Sequence, residues 1–282
     1  MTTCTPLLPL ATLRRPAVWL LTSIALAMPL PSALAREGVE VGGNSKFSSL
    51  VPAGQVEQGA QQQYAQLLQQ AASKQALGAA NDPQVIRLRA IAQKIIPFSY
   101  EWNPRAKDWK WEVNLIASKQ INAFCMPGGK IAFYTGILND LQLTDDEVGM
   151  VMGHEIAHAL REHARERMGK NAATNIGANV VSQVFGLGAL GQQLVGGGAQ
   201  LLTLKFSRGD ESEADLVGME LAARAGYNPR AGVSLWQKMG AANKGAPPQW
   251  LSTHPSGNTR IADIEKNLPK VEPLYQKVKG SK

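Results

Sequence analysis

The chain has 282 residues, of which 44% are hydrophobic and 18% are charged, and these proportions suit a single globular domain with a substantial core. Its formal net charge is +7, but no run of five or more like charges occurs, so the sequence gives no indication of nucleic-acid binding. This mild positive charge stays compatible with an acidic partner or an anionic membrane surface.

The first 35 residues have the pattern of a cleaved export signal. Arg14 and Arg15 form a positive start, and a mostly apolar stretch follows at 16–30. Ala33-Leu34-Ala35 then matches an A-x-A cleavage site. We expect cleavage after Ala35 and a periplasmic location, because prolines break the apolar stretch and leave it too short for a membrane anchor. Cleavage would remove two arginines and no acidic residue, which leaves 27 basic and 22 acidic residues and a net charge of +5.

Residues 36–54 are rich in glycine and serine and lack hydrophobic periodicity. They predict a flexible leader ahead of a single domain at 55–270. Two helices are expected to open this domain, the first at 55–77 and the second at 82–96. The second helix carries a proline in its first turn, where a missing backbone N–H costs nothing.

Three short strands are predicted after these helices. Apolar and polar residues alternate at 109–117, and apolar runs follow at 121–126 and 130–135. The Pro-Gly-Gly sequence at 127–129 predicts a turn between the last two strands. We therefore expect a small antiparallel sheet.

The predicted helix that begins after Thr144 carries the chemistry. Thr144 and Glu147 fit a capping box, and an apolar stripe at helical spacing follows. His154 and His158 are four residues apart, so their imidazoles share one helix face and can bind one metal ion. Glu155 stands beside them. This H-E-x-x-H arrangement is typical of zinc hydrolases, with two histidine ligands and a glutamate as general base.

A catalytic zinc site needs a third protein ligand and an open position for water. His163 is one residue short of the position where such a helix would carry a third histidine, so we interpret it as structural. A second helix offers Glu211 and Asp215, again four residues apart on one face. One of these acids can bind the metal, and the other can hold a ligand histidine through its second ring nitrogen. Glu213 falls on another face and is the weaker candidate.

Residues 171–204 contain no charged residue and are rich in glycine, which predicts a glycine-broken helical hairpin inserted in the domain. The insert packs on the core, covers the cleft or makes peripheral contact with a membrane. Polar residues interrupt each apolar run before it reaches the length of a membrane span. A G-x-G-x-x-G match at 186–191 does not indicate a dinucleotide site, because the glycines at 196–198 would break the helix that must follow.

His254 is the one histidine far from the H-E-x-x-H helix in sequence. It follows a proline-containing loop at 240–250 and precedes the last predicted helix, whose first turn it would cap if it were an ordinary loop residue. Residues 271–282 are rich in lysine and predict a loose basic tail.

Four motifs in a fixed order resemble one family. HEIAH at 154–158, ESEAD at 211–215 and LSTHP at 251–255 with Arg260 and Ile261 are similar to the zinc metallopeptidases of HtpX and the CAAX prenyl protease. The similarity is greatest to the soluble periplasmic branch that includes BepA and LoiP. Asn122-Ala123-Phe124 and the glycines at 128 and 129 also fit the strand that precedes the active helix in that family.

The resemblance covers about residues 82–268 and implies an α+β fold. This fold is a mainly helical zincin domain of the gluzincin type, with a small antiparallel sheet beside the H-E-x-x-H helix. The resemblance implies one Zn²⁺ per chain, bound by His154, His158 and Glu211. It further implies that Asp215 is a carboxylate that orients a ligand or donates a proton.

The predicted activity is that of a zinc-dependent endopeptidase of the cell envelope that acts on misfolded or unassembled proteins. Glu155 is expected to accept a proton from the zinc-held water and to pass it to the leaving amine. His254 either donates to the oxyanion or occupies the open zinc position in a resting form. Substrate is expected to lie extended along an exposed strand edge, formed either by residues 122–126, which include Asn122 and Phe124, or by residues 131–135.

The alternative is a chaperone-like assembly factor with outer-membrane or other envelope partners. In that case zinc would be mainly structural or held in a resting state. A purely structural site has no need of a base, so Glu155 favours the enzyme.

Overall fold

The structure, a computed structural model, describes residues 1–2, 36–179, 201–242, 249–254 and 259–280. The side chains of residues 175–179 and of Thr203 are not described. The predicted export signal, most of the predicted hairpin insert and much of the loop before His254 lie outside the described residues.

The described residues form helices around a small sheet. The helices are α1 (Ala53–Ser73), α2 (Pro83–Ile95), α3 (Thr135–Asn139), α4 (Asp145–Leu160), α5 (His163–Asn179), α6 (Arg208–Arg224), α7 (Ala231–Ala242), α8 (Gln249–Thr253) and α9 (Arg260–Gly280). The strands are β1 (Glu112–Ile116), β2 (Ala123–Met126) and β3 (Lys130–Tyr134). Short 3-10 helices occur at Lys46–Leu50, Ile96–Glu101, Pro104–Lys107 and Leu201–Thr203. The predicted mainly helical α+β class is confirmed.

The sheet is mixed, whereas the sequence predicted an antiparallel one. The strand order is β1-β3-β2, so β3 is central and β2 is an edge strand. The hairpin of β2 and β3 is antiparallel, with Cys125 opposite Ile131. Gly128 and Gly129 turn it with φ angles of +84° and +77°, which favour glycine. β1 pairs with β3 in parallel, with Val113 opposite Ile131, because the chain crosses to the far edge before it forms β2.

α4 is the centre of the fold. Its capping box forms as predicted, since the backbone N–H of Thr144 donates to Glu147 Oε2 at 2.9 Å and the N–H of Glu147 donates to Thr144 Oγ1 at 3.3 Å. Every residue from Glu147 to Leu160 is buried, so the apolar environment surrounds the whole helix and not one stripe. α2, α6, α7 and β2 pack around it. This enclosure holds the side chains of α4 in fixed positions.

The segment predicted as a flexible leader is packed against the domain. Val39 and Val51 are buried, and the 3-10 helix at Lys46–Leu50 lies against α5. The backbone N–H of Val39 donates to Glu220 Oε2 at 2.8 Å. The prediction was wrong because the few apolar residues of this glycine-rich stretch create no periodicity, yet Val39 and Val51 are buried against the domain.

The predicted loose tail is also corrected. α9 continues to Gly280, and Val271 and Leu274 are buried on its inner face. Pro269 and Pro273 lie inside this helix. Proline normally weakens a helix interior. Here the burial of the apolar side chains between and after the two prolines keeps the helix on the core.

Candidate metal centre

α4 and α6 meet backbone to backbone at two glycines. A Cβ atom on Gly153 would lie 2.5 Å from the carbonyl oxygen of Gly218, and a Cβ atom on Gly218 would lie 2.5 Å from the backbone nitrogen of His154. Real Cβ atoms do not approach other atoms so closely, so both positions require glycine. The contact brings the HEIAH segment of α4 against the ESEAD segment of α6.

Four buried side chains converge at this crossing. His154, His158, Glu211 and His254 each offer one nitrogen or oxygen atom, and these four atoms lie within 4.8 Å of one another. The Nε2 atoms of His154 and His158 are 3.1 Å apart. Carboxylate oxygens of Glu211 lie 3.6 Å from the first and 3.5 Å from the second of these nitrogens. The structure therefore brings the three predicted ligands together and adds His254; we call these four side chains the metal cluster.

Two atoms of the metal cluster have no hydrogen-bond partner among the described residues. They are Glu211 Oε1 and His254 Nε2, and both are buried. A buried polar atom without a hydrogen-bond partner lowers stability. These two atoms therefore indicate a site that binds an ion. Imidazole nitrogens with one carboxylate are a donor set that suits Zn²⁺. The residues present fit a metal ion held by His154, His158 and Glu211.

A charged clamp holds the outer side of this cluster. Asp215 Oδ1 lies 3.0 Å from His154 Nδ1. Because an ionised carboxylate only accepts, Nδ1 carries the proton and Nε2 keeps its lone pair for the cluster. Arg260 donates to both oxygens of Asp215 at 2.6 and 2.7 Å and to Glu211 at 2.5 Å. Its guanidinium lies 3.8 Å from the ring centre of Trp236.

Burial and Arg260 set the charge states of the cluster. Burial raises the pKa of Glu211 to about 8, against the opposing effect of Arg260. Burial alone would raise the pKa of Asp215 as well, but Arg260 and the hydrogen bond to His154 outweigh it and bring that pKa to about 2. Burial also lowers the pKa of all three histidines in the cluster. These histidines are neutral at pH 7, which is the state that binds a metal.

Glu155 lies beside the cluster and outside the ligand set. The indole N–H of Trp250 donates to its Oε1 at 2.6 Å, and its Oε2 lies 3.6 Å from His254 Nε2. Burial raises the pKa of Glu155 well above its ordinary value. A carboxylate with a raised proton affinity next to a metal site is suited to general base chemistry. Sequence reasoning did not find Trp250, and only its place four residues before His254 could have indicated it.

The Nε2 atom of His254 faces the cluster with a lone pair that can accept a hydrogen bond or bind a metal ion. Its Nδ1 lies 3.1 Å from the carbonyl oxygen of Trp250 and 2.9 Å from Thr253 Oγ1. Because a carbonyl oxygen only accepts, Nδ1 carries the proton and Nε2 has a free lone pair. The backbone N–H of His254, just after the end of α8, donates to the carbonyl oxygen of Trp250 at 2.8 Å. The interpretation of His254 as a residue that caps the next helix is therefore not supported.

His163 and Glu213 also belong to this region, although sequence reasoning had set both aside. His163 Nδ1 lies 2.9 Å from His158 Nδ1, and His163 Nε2 lies 3.2 Å from Glu213 Oε2. Both side chains thus stand behind a predicted metal ligand. Reasoning from one continuous helix missed the contact of His163 with His158, because α4 ends at Leu160, before His163 begins α5.

A cavity lies between β2, the end of α8 and the segment at 201–206. Asn122 and Phe124, the residues predicted to bind substrate, line it together with Glu155. Phe206 closes one side of the cavity, and its ring stacks on His158 with the ring centres 4.0 Å apart. The structure therefore places the predicted substrate strand and the predicted base around one space.

The sequence profile of peptidase family M48 matches residues 85–268, which is more than half of the chain. The chain belongs to peptidase family M48. This membership confirms the metallopeptidase family that the motifs predicted. The matched segment contains the predicted ligands, Glu155 and His254, so the family region and the candidate metal centre coincide.

Three relatives show how far the similarity extends. Metalloprotease LoiP from Escherichia coli is 27% identical over 72% of this chain and 78% of its own length. The beta-barrel assembly-enhancing protease (BepA) from Yersinia pestis is 28% identical over 56% of this chain and 35% of its own. The mitochondrial metalloendopeptidase OMA1 from Saccharomyces cerevisiae is 31% identical over 69% of this chain and 59% of its own. The similarity to OMA1 extends beyond the branch that the motifs predicted.

The chain spans less than two thirds of the length of the OMA1 relatives that it matches in plants, yeast and cattle. No helix in the part of the chain that the structure describes combines the length and the apolar character needed to cross a membrane.

Proposed function

We propose that the protein is a zinc-dependent endopeptidase of the cell envelope that hydrolyses misfolded or unassembled proteins. One observation carries this proposal: His154, His158 and Glu211 converge beside the buried carboxylate of Glu155. Membership of family M48 and similarity to named metalloendopeptidases support the same activity. The envelope location rests on the export pattern of residues 1–35.

Each residue of the centre has a separate task in this mechanism. His154, His158 and Glu211 would hold Zn²⁺, which when bound polarises the scissile carbonyl and lowers the pKa of a water to about 7. Glu155 takes the proton of the attacking water and delivers it to the leaving amine nitrogen. Asp215 keeps His154 in the tautomer whose Nε2 faces the cluster.

Substrate would bind in extended form along β2. This strand forms the edge of the sheet, and an edge strand can pair with one further strand through backbone hydrogen bonds. The cavity beside it reaches from Asn122 to Glu155 and His254. The ring of Phe124 packs against Tyr64, so main-chain atoms and not this ring would make the contacts to the peptide.

The arrangement favours a resting form of the enzyme. His254 Nε2 is directed at the metal cluster with its lone pair free, so His254 can occupy the position that a catalytic water needs. An oxyanion donor would need a proton on that nitrogen. The same closed arrangement is what an assembly factor with zinc in a resting state would show, but Glu155 has no task in such a protein.

The deciding experiment compares zinc content and casein digestion of the wild type and Glu155→Gln. We expect Glu155→Gln to keep about one zinc per chain and to lose nearly all hydrolysis, because the base is not a ligand. Glu265→Gln, on an exposed position of α9, is the matched control and should behave as the wild type. Full activity in Glu155→Gln would refute the mechanism.

Export has its own test. The mass of the protein recovered from the periplasm should correspond to a chain that begins at Arg36. A chain that retains residue 1 in the membrane fraction would contradict cleavage after Ala35 and favour an anchor.

A further inference from the structure

His158 has a partner on the side of its ring that faces away from the metal cluster. The Nδ1 atoms of His158 and His163 are 2.9 Å apart, and His163 is 1% exposed. The two residues are close because α4 ends at Leu160 and Glu162 adopts a left-handed φ of +58°. This turn aims the first residue of α5 back at the last turn of α4.

The hydrogen bonds around His163 assign every proton in this contact. His163 Nε2 lies 3.2 Å from Glu213 Oε2, and the other oxygen of Glu213 lies 2.5 Å from Arg161. A carboxylate paired with arginine only accepts hydrogen bonds, so Nε2 of His163 carries its proton. In neutral His163, Nδ1 is then an acceptor, and Nδ1 of His158 must be the donor.

The consequence reaches the metal cluster. A neutral imidazole that is protonated at Nδ1 has its lone pair at Nε2, and Nε2 of His158 is the atom that lies 3.1 Å from Nε2 of His154. We propose that His163 and Glu213 are positioning residues that hold His158 in the tautomer able to bind a metal. They do for His158 what Asp215 does for His154. The proposal rests on the proposed metal site and not on peptidase activity.

We call the hydrogen-bonded chain from Glu213 through His163 to His158 the relay. Arg161 connects the relay to the rest of the fold. Its guanidinium binds Glu213 and also donates to the carbonyl oxygen of Gly42, in the segment that precedes α1. Arg161 is only 8% exposed, so both contacts are partly buried. The anchor keeps Glu213 directed at His163 although Glu213 lies on a different face of α6 from Glu211.

The test uses two substitutions of the same size. Asn and Leu are nearly isosteric, but Asn keeps a carbonyl oxygen close to the position of Nδ1. We expect His163→Leu to bind zinc about 10–100-fold more weakly than the wild type, the usual effect of losing such a partner, and His163→Asn to stay much closer to the wild type. Glu213→Gln keeps an acceptor for His163 and should likewise retain most of the affinity. Zinc affinity is measured on the full chain by competition with a chelator.

A second readout needs neither zinc nor activity. Nitrogen-15 NMR of the histidine rings in the metal-free chain should show His158 protonated at Nδ1 and His163 at Nε2, and His163→Leu should reduce the Nδ1-protonated fraction of His158. Equal zinc affinity of His163→Leu and His163→Asn, whether normal or weakened, would overturn the proposal, as would a wild-type His158 protonated at Nε2. A wild type without zinc affinity would contradict the proposed metal site, and the ring spectra would still decide the relay.

Discussion

The two sides of the metal cluster are built from different interactions. Towards α6 and α9, Arg260 binds Asp215 and Glu211 through hydrogen bonds of 2.5–2.7 Å, and all three side chains are buried. Towards β2, Phe206 covers the cluster: its ring stacks on His158, and backbone hydrogen bonds hold its segment. One of these joins Phe206 to Thr253 at 3.1 Å.

This difference gives the two sides of the metal cluster different resistance to opening. Breaking a buried ion pair strands a charge in a poor solvent, so the α6 and α9 side resists opening. Stacked rings and one backbone hydrogen bond cost far less to separate. We therefore expect the side towards β2 to open more readily than the α6 and α9 side.

The largest expected effect comes from removal of the buried cation. Arg260→Met keeps an apolar stem near Trp236 but leaves Asp215 without its counter-charge and Glu211 without its hydrogen-bond donor, so the free energy of unfolding should fall by about 3–5 kcal/mol. Arg230→Met is the control, because its ion pair with Glu272 is exposed and should be worth about 0–1 kcal/mol. Urea unfolding of the metal-free chains measures both. Equal losses would show that the α6 and α9 side is no stronger than the surface.

A second prediction tests the crossing that assembles the cluster. Gly218→Ala places a Cβ atom against the backbone of His154, so the helices must separate and the free energy of unfolding should fall by about 1–3 kcal/mol. Zinc affinity should fall with it. Gly240→Ala in α7 meets nothing within 4 Å and should stabilise the helix by about 1 kcal/mol or less. A Gly218→Ala protein with normal stability and zinc content would contradict the need for close approach.

The third prediction tests the movable side. If His254 blocks the open zinc position, His254→Ala should raise the basal rate of casein hydrolysis. If His254 instead donates to the oxyanion, the same change should lower turnover about a hundredfold or more. In this second case zinc affinity should fall little, because three protein ligands remain. Purified His254→Ala with unchanged turnover and zinc content would mean that His254 has neither role.

The smallest expected effect concerns the start of α4, away from the cluster. Burial would raise the pKa of Glu147, but hydrogen bonds from Lys238, Thr144 and Ser234 outweigh burial and lower it below 4.5. A lowered folded-state pKa stabilises the fold at pH values above the unfolded pKa of about 4.5, and this contribution is lost as pH falls through the folded value. Lys238→Met should flatten the fall in stability below pH 4.5 that thermal unfolding measures. An unchanged profile would contradict the assignment.

Local patterns were sufficient for the elements that carry the chemistry. The capping box at Thr144 and Glu147 and the spacing of His154 and His158 depend on residues within one or two helical turns, so they can be recognised in sequence. Glu211 and Asp215 share a helix face for the same reason. The capping box at Ser207 places them at the start of α6.

Interactions between distant segments were not accessible in this way. The packing of the leader depends on single valines. The parallel pairing of β1 with β3 depends on the position of β2 at the opposite edge of the sheet. Arg260 was part of a motif, but its hydrogen bonds to Asp215 and Glu211 depend on the packing of α9 against α6, which the motif does not show. His163 was interpreted as structural, but its contact with His158 could not be foreseen, because Glu162 turns the chain with a positive φ that no pattern in the sequence indicates.

The sequence alone determined which residues can bind a metal and which carboxylate can act as a base, because side-chain chemistry and helical spacing are local properties. Only the tertiary structure decided which protons these residues carry. The tautomer of His154 depends on Asp215, that of His254 depends on the carbonyl of Trp250, and each partner comes from a contact that helix spacing cannot predict. A lone pair points at the cluster only where the opposite ring nitrogen has an acceptor, and folding supplies that acceptor.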